Sequence, residues 1–479
     1  MGMKRTNQIG LAWILLAIGI SILWGSSLGK PANRWVDFKA VYYGTRCLLE
    51  HHNPYNVSEL DGVYLAEGGG NPSETVTAHQ TVTLFVNLPT TFILLTPFAM
   101  LPWGVAHLLW ISFTVVSLIF AAFLVWNCGA NYAPVLSVGL ISLILANSEI
   151  LFLTGNTAGI VVSLCVVAVW CFLSERFVLA GILCLALSLA IKPHDAGLVW
   201  FYFLLAGGVY RKRALQTLLV TAILSLSAFL WVSHVAPHWM QDWYSNMTAI
   251  SARGGLNEPG PASRIGRSPG MIFDLQAAIS IFWDDPRIYN AVSYLVCGVL
   301  LLLGAVRTLR SQFSLRRAWI ALAAVTVLTM LVTYHRSYDA KLLLLTVPAC
   351  AILWAEGGLI AWLALLVTTA GIVSTGDIPI TLLLIHTKNL QISTVGLSGQ
   401  IRTLLLMEPI PLILLAMGIF YLWIYVRREP SRDTTAGPGE PEETPLAPTA
   451  ASSDRLRRRS FSWLILSLDG VSGRKSDLG

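Results

Sequence analysis

Long apolar runs recur along almost the whole of this 479-residue chain. A helix needs about 17 to 25 mostly apolar residues to cross a bilayer. Only 12% of the residues are charged, whereas soluble globular proteins carry about 25%. The sequence therefore predicts an all-α polytopic integral membrane protein with roughly 11 to 13 transmembrane helices. The long runs lie near 11–29, 85–101, 104–126, 133–153, 157–173, 214–233, 288–306, 317–333, 341–355, 357–374 and 404–426, and shorter runs at 177–191 and 194–208 flank Lys192.

Basic residues predict the orientation, because short loops rich in Lys and Arg favour the cytoplasm. They cluster at 4–5, 211–213, 307–317 and 427–428, so we expect both the N-terminus and the C-terminal tail to be cytoplasmic. The apolar runs before Arg211 would give an odd number of membrane crossings, whereas the positions of the basic residues require an even number. One of these runs is therefore predicted to be re-entrant or half-spanning, and the short pair around Lys192 is the candidate. The loops expected on the outer face are about 30–84, 234–287 and 375–403.

Composition divides the chain into a membrane module, 1–428, and a tail, 429–479. The tail is rich in Pro, Thr, Glu and Ala and has little to bury, so it is predicted to be disordered, with a basic and apolar end that could lie on the inner leaflet. The seven cysteines show no regular spacing, and no histidine or acidic pair has metal-ligand spacing. We expect no cofactor, no metal site and, with basic residues scattered over loops, no nucleic-acid partner.

Asp37 is the first candidate functional residue, because it lies just outside the first apolar run and at the start of a long polar loop. An ionisable group at a membrane surface is a functional candidate. A structural interpretation stays open, in which Asp37 caps a helix or pairs with Arg34, Lys39 or Arg46.

Two further polar groups interrupt apolar sequence. Lys192, followed by Pro193 and His194, is costly among apolar residues unless it reaches an anion or water. The segment 334–341 carries more basic charge than an outer loop usually does and could bind an anionic group. Local pairing of Arg336 with Asp339 is the alternative. The candidate residues of this segment are Arg336, Tyr338, Asp339 and Lys341.

The remaining candidates carry weaker signals. Asn156 follows Gly155 between two apolar runs, where a tight turn explains the pair equally well. Arg253 and Glu258 lie in the loop 234–287 and are candidates for sugar or acceptor contacts, although charged loop residues are usually only solvated.

Taken in order, these motifs resemble those of GT-C type glycosyltransferases that use polyprenyl-phosphate sugars, in particular the DUF2029 (glycosyltransferase family 87) mannosyltransferase-like family. The resemblance rests on the Asp37 stretch, Gly155-Asn156, Lys192-Pro193 and the segment Arg336 to Asp339. It implies an enzyme with a GT-C-like bundle in a bacterial plasma membrane, which transfers a sugar, with mannose as the expected one, from a polyprenyl-phosphate carrier to a lipid or glycan acceptor on the outer face with inversion.

The same resemblance implies roles for single residues. Asp37 would be the general base, and Arg336, with Lys192 and Lys341, would hold the lipid phosphate. Glu258 or Asp339 is the alternative base if Asp37 is structural. Two other classes stay open from the sequence: a transporter or flippase, which would place its ionisable residues at the bilayer midplane, and a non-catalytic membrane scaffold, which would not need Asp37.

Overall fold

The computed structural model describes residues 2–28, 35–67, 84–260, 272–387 and 396–427. Within these ranges the chain is helical, with no strand, which confirms the predicted all-α polytopic fold. The predicted tail, 429–479, lies outside the described residues. The helices are α1 (Gly2–Leu28), α2 (Val36–Leu49), α3 (Val57–Ala66), α4 (Thr90–Ala99), α5 (Trp103–Gly129), α6 (Pro134–Ala146), α7 (Glu149–Thr154), α8 (Ala158–Ser174), α9 (Val178–Ile191), α10 (Pro193–Ala206), α11 (Gly208–Val235), α12 (Trp239–Ser251), α13 (Leu275–Ile279), α14 (Pro286–Arg310), α15 (Leu315–Val332), the 3-10 helix Asp339–Thr346, α16 (Val347–Glu356), α17 (Gly358–Ser374), α18 (Asp377–Thr387), α19 (Gly396–Met407) and α20 (Pro409–Val426).

Among the described helices, six are long and apolar enough to cross a membrane: α1, α5, α11, α14, α15 and α20. A seventh candidate is the pair α17 and α18, which bends by 68° at its break. Four apolar helices, α4, α6, α8 and α9, have fewer than 18 residues. A multi-pass membrane protein is therefore shown, and the total of 11 to 13 spans remains a prediction.

The long helices differ in how much surface they bury. The apolar stretch of α15 is 72% buried, whereas that of α11 is 11% buried. Because both are apolar, the difference assigns α15 to the interior of the bundle and α11 to a surface that suits lipid tails. Around α15 the interior is formed by packing against α20, and α8 packs closely on α9. The centre of the bundle therefore contains the helices whose ends carry the polar candidates.

Two helix breaks bring polar residues to one place. At the first, α9 ends at Ile191, Lys192 adopts a non-helical backbone with φ −137° and ψ 81°, and Pro193 begins α10. Proline disfavours helical backbone in the residue before it and fits the first turn of the helix it begins. The sequence around Lys192 therefore produces two 14-residue helices, and it leaves the Lys192 side chain at their junction.

The second break ends α7 at Gly155, which adopts φ +66°. A Cβ there would lie 2.8 Å from the Cβ of Phe38, so glycine also permits the close approach of α2. Trp35, just before α2, donates its backbone N–H to the carbonyl of Leu153 at 2.7 Å. The start of α2 is thereby attached to the end of α7.

Aromatic packing holds α2 in that position. Phe38 is fully buried, with its ring stacked on Trp110 at a centroid distance of 5.0 Å and on Trp103 at 5.5 Å. The indole N–H of Trp110 also donates to the carbonyl of Gly155 at 2.9 Å. Buried aromatic pairs of this kind add roughly 0.5 to 1.5 kcal/mol each beyond the area they bury. The residue next to Asp37 is therefore firmly anchored.

Candidate functional site

Asp37 lies in the first turn of α2 and is half-buried. The helix cap is Trp35, so Asp37 is not the cap residue that the structural interpretation required. Arg46, one proposed ion partner, instead pairs with Glu50 at 3.2 Å and with Glu67. The first turn of a helix favours a carboxylate, because the free N–H groups and the helix dipole attract negative charge.

The carboxylate of Asp37 is held by Asn156, whose Nδ2 donates to Oδ2 of Asp37 at 2.8 Å. The other end of the amide fixes its orientation. Oδ1 of Asn156 accepts from the backbone N–H of Ala158 at 2.8 Å and from Nζ of Lys192 at 3.2 Å. Because both of these groups can only donate, the atom that faces them must be the oxygen, and the amino group must face Asp37. Asn156 therefore links the carboxylate to Lys192.

Lys192 contacts Asn156, Asp339 and Tyr338 in the interior. Its Nζ donates to Oδ1 of Asp339 at 2.8 Å and lies 4.9 Å from the centre of the Tyr338 ring. The ammonium is almost buried, and Asp339 is 1% exposed. A buried ion pair of this kind requires good geometry and further hydrogen bonds to offset desolvation. Lys192 is thus bonded directly to Asp339 and linked to Asp37 through Asn156, although these residues come from different parts of the sequence.

Arg336 and Asp339 are joined by the start of the 3-10 helix. Oδ2 of Asp339 accepts from the backbone N–H of Arg336 at 2.9 Å, so Asp339 binds both this turn and Lys192. The guanidinium of Arg336 donates through Nη2 to the carbonyl of Leu256 at 2.9 Å and lies over the ring of Tyr334 at 5.2 Å. We call Asp37, Asn156, Lys192, Arg336, Tyr338 and Asp339 the Asp37 cluster.

The electrostatic surroundings of Arg336 place it near Asp37. Burial alone would lower the pKa of Arg336, but the neighbouring Tyr334 and Tyr338 hydroxyls, together with Asp37 and Asp339, raise it above its ordinary value. Its Nε is buried, and no described residue accepts a hydrogen bond from it. Arg336 is therefore a permanent cation with an available donor inside the cluster.

Asp195 is a residue that sequence reasoning missed. It follows His194 in the first turn of α10, is fully buried, and lies 3.9 Å from Nζ of Lys192. Its Oδ1 lies 3.3 Å from Nε2 of His335 and 3.7 Å from Nε2 of His194. The adjacent His194 and Asp195 could have been noticed as a pair, but nothing in the sequence brings His335 to them. These three residues have the ligand atoms and the spacing that could hold a metal ion.

Lys341 makes its hydrogen bond away from the Asp37 cluster, although Asp339 is among its electrostatic neighbours. It is 2% exposed, and its Nζ donates to the carbonyl of Asn147. Its electrostatic partners include the buried carboxylates of Asp377 and Glu149. Asp377 itself accepts from the backbone N–H of Ile150 at 2.8 Å. Lys341 therefore joins α6, α7 and α18 at a second buried charge cluster.

The two candidates from the loop after α12 also differ in position. Arg253 is exposed and pairs with Asp284 at 2.5 Å. Glu258 is buried and accepts a hydrogen bond from the backbone N–H of Gly254, which shapes a tight turn. This turn reaches the cluster through Leu256, whose carbonyl binds Arg336. Neither side chain is shown to contact Asp37.

The cluster places a half-buried carboxylate, two cations and aromatic rings together at helix ends. A carboxylate can accept a proton, and fixed cations can stabilise a developing negative charge. Asn156 orients the carboxylate of Asp37, and Asn156 and Asp339 together orient the ammonium of Lys192. The arrangement is thus suited to a transfer reaction in which an acceptor loses a proton and an anion leaves.

Comparison with known proteins agrees with this chemistry. A sequence model of glycosyltransferase family 87 matches residues 85–333, slightly more than half of the chain. The match contains Asn156, Lys192 and His194, whereas Asp37 and Arg336 lie outside its limits. No curated protein and no solved structure gives a significant match.

Proposed function

Because this chain belongs to glycosyltransferase family 87, we propose that it transfers mannose from a polyprenyl-phosphate carrier to a lipid or glycan acceptor. The reaction would take place at the outer face of a bacterial plasma membrane, with the N-terminus and the tail in the cytoplasm. The continuous link from Asp37 through Asn156 and Lys192 to Asp339 is the observation that supports this proposal. It joins the proposed base to Lys192, one of the cations that a phosphate would need.

Asp37 is the proposed general base. An acceptor hydroxyl must lose its proton as its oxygen attacks the anomeric carbon, and a positioned carboxylate can take that proton. The hydrogen bond from Asn156 and the anchored ring of Phe38 restrict the movement of Asp37. Restricted movement favours catalysis, because the base then needs little reorganisation when the acceptor binds.

Arg336 and Lys192 are the proposed phosphate-binding cations. As the bond between the anomeric carbon and the phosphate oxygen breaks, the leaving polyprenyl phosphate gains negative charge, which fixed donors stabilise. The buried Nε of Arg336 is available for one such contact. Tyr338, whose ring faces Nζ of Lys192, and His194, which lies beside Asp195, complete the proposed phosphate site.

Attack on one face of the sugar and departure from the other inverts the anomeric centre. This geometry requires the base and the phosphate cations to flank the sugar. Arg253 and Glu258 remain candidate acceptor contacts, because their turn reaches Arg336 through Leu256. Lys341 is buried in the second charge cluster. Its proposed contribution is to fix the position of the segment 334–341 through its hydrogen bond to Asn147.

The test compares the wild-type protein with Asp37→Asn in detergent, supplying polyprenyl-phosphate mannose and candidate acceptors and measuring released polyprenyl phosphate. Loss of general base catalysis is expected to reduce turnover by about 100-fold to 10,000-fold while donor binding is retained. Glu50→Gln is the matched control, since Glu50 is an exposed carboxylate just after α2. Equal turnover in Asp37→Asn would refute the assignment of the base.

A further inference from the structure

The charges around Lys192 do not balance. Asp37, Asp195 and Asp339 carry three negative charges, and Lys192 and Arg336 carry two positive charges, so these five residues leave one net negative charge. A phosphate-binding site needs the opposite sign. A further cation near Asp195 would reverse that sign.

Asp195 is buried beside positive charge and imidazole rings but without a well-formed hydrogen bond. Its side chain is 1% exposed, and among the described residues no hydrogen bond of good geometry reaches either carboxylate oxygen. The nearest cation, Nζ of Lys192, is 3.9 Å from Oδ2 and is already bonded to Asp339 at 2.8 Å. A buried carboxylate is costly unless it is paired or binds a metal. The remaining oxygen, Oδ1, faces two imidazoles.

The tautomer of His335 follows from its other ring nitrogen. Nδ1 lies 2.7 Å from the carbonyl of Thr333, and a carbonyl can only accept, so Nδ1 carries the proton. In the neutral ring Nε2 then has a lone pair, and this atom lies 3.3 Å from Oδ1 of Asp195. A ring N–H that donates to a backbone carbonyl is the usual arrangement of a metal-binding histidine.

The distances between the ligand atoms also fit one ion. Bonds of about 2.1 Å in tetrahedral geometry separate ligand atoms by about 3.4 Å. Oδ1 of Asp195 lies 3.3 Å from Nε2 of His335 and 3.7 Å from Nε2 of His194, and all three ligand atoms lie within 4.8 Å of one another. We propose that His194, Asp195 and His335 bind one divalent transition-metal ion such as zinc.

The nature of the ligands selects the ion. Two imidazoles and one carboxylate suit zinc and its transition-metal neighbours, whereas magnesium and calcium prefer oxygen ligands. Asp195 and His335 are buried, but the side chain of His194 is 35% exposed, so the site is open on the His194 side. Resting on the proposed function, we infer that a phosphate oxygen of the donor takes the open position and that the ion stabilises the leaving charge.

The experiment measures metal binding without any substrate. Tag-free protein is purified, stripped with a chelator, titrated with zinc or magnesium, and analysed for bound metal by mass spectrometry after gel filtration. We expect about one zinc ion per chain, as in a mononuclear site, and no comparable magnesium binding. Asp195→Asn and His335→Gln should each weaken zinc binding by about 100-fold or more, because each loses a direct ligand.

The controls separate this site from unspecific binding and from misfolding. His234→Gln changes an exposed histidine of α11 and should bind zinc as the wild type does. His194→Asn changes the partly exposed ligand and provides a variant with little risk to folding, and it too should weaken zinc binding. In detergent, zinc should raise the unfolding temperature of the wild type and of His234→Gln, and it should leave that of Asp195→Asn unchanged.

Wild-type protein that is folded and binds no stoichiometric zinc would overturn the proposal and leave a protonated His335 as the partner of Asp195. The outcome is separable from the proposed function. Sugar transfer by chelator-treated, metal-free protein would refute the role of the ion in stabilising the leaving charge, whereas zinc binding without transfer from any polyprenyl-phosphate sugar would refute the proposed reaction alone.

Discussion

Nζ of Lys192 lies 2.8 Å from Oδ1 of Asp339, although the two residues are 147 positions apart in the sequence. The contact joins the break between α9 and α10 to the start of the 3-10 helix. Because both side chains are almost buried, each charge depends on the other for compensation. This pair therefore connects two distant parts of the sequence within the Asp37 cluster.

Replacement of Lys192 by Met is expected to destabilise the protein by about 3 kcal/mol, since it leaves buried carboxylates without their cation. The double variant Lys192→Met/Asp339→Asn should recover part of that loss, because one unpaired charge is removed as well. Denaturant unfolding in detergent micelles measures both. Lys212→Met, at an exposed lysine, should change little, and additive losses in the double variant would contradict the pairing.

Asn156→Ala is expected to lower the turnover of sugar transfer by about 10-fold to 100-fold, the value of one or two hydrogen bonds to charged groups. The physical reason is that Asp37 loses its donor and Lys192 loses an acceptor. Steady-state kinetics with varied donor and acceptor check this. Asn131→Ala is the control, because it removes an exposed amide that donates to the carbonyl of Asn127 in the neighbouring helix turn. Unchanged turnover in Asn156→Ala would show that Asp37 is positioned by other contacts.

Gly155→Ala is expected to destabilise the protein by about 1 to 3 kcal/mol, because alanine is strained at φ +66°. The added Cβ would also meet Phe38 at 2.8 Å and push α2, with Asp37, away from Asn156. Sugar transfer should therefore fall together with the unfolding temperature. Gly197→Ala is the control: it lies inside α10 with no atom within 4 Å of the new Cβ, so helix propensity predicts no loss.

Most of the candidate residues could be found from the sequence, because a polar or charged residue beside an apolar run is conspicuous. Asp37, Asn156, Lys192, Arg336 and Asp339 all follow from this pattern, and the structure brings them together. The sequence could not show that Lys341 belongs to a different cluster, with Glu149 and Asp377. Its place depends on the bend between α17 and α18, which follows from packing.

Local sequence is sufficient to make this chain a helical membrane protein. Apolar runs of sufficient length leave the backbone no better partners than its own carbonyls, so helices form from local sequence. Which polar side chains meet depends instead on the packing of the helices. Asp195 and His335 lie on separate segments, and their contact exists only because α10 packs on α15, which ends just before His335. Local sequence carries no signal for such a contact, since it depends on how whole helices bury their surfaces.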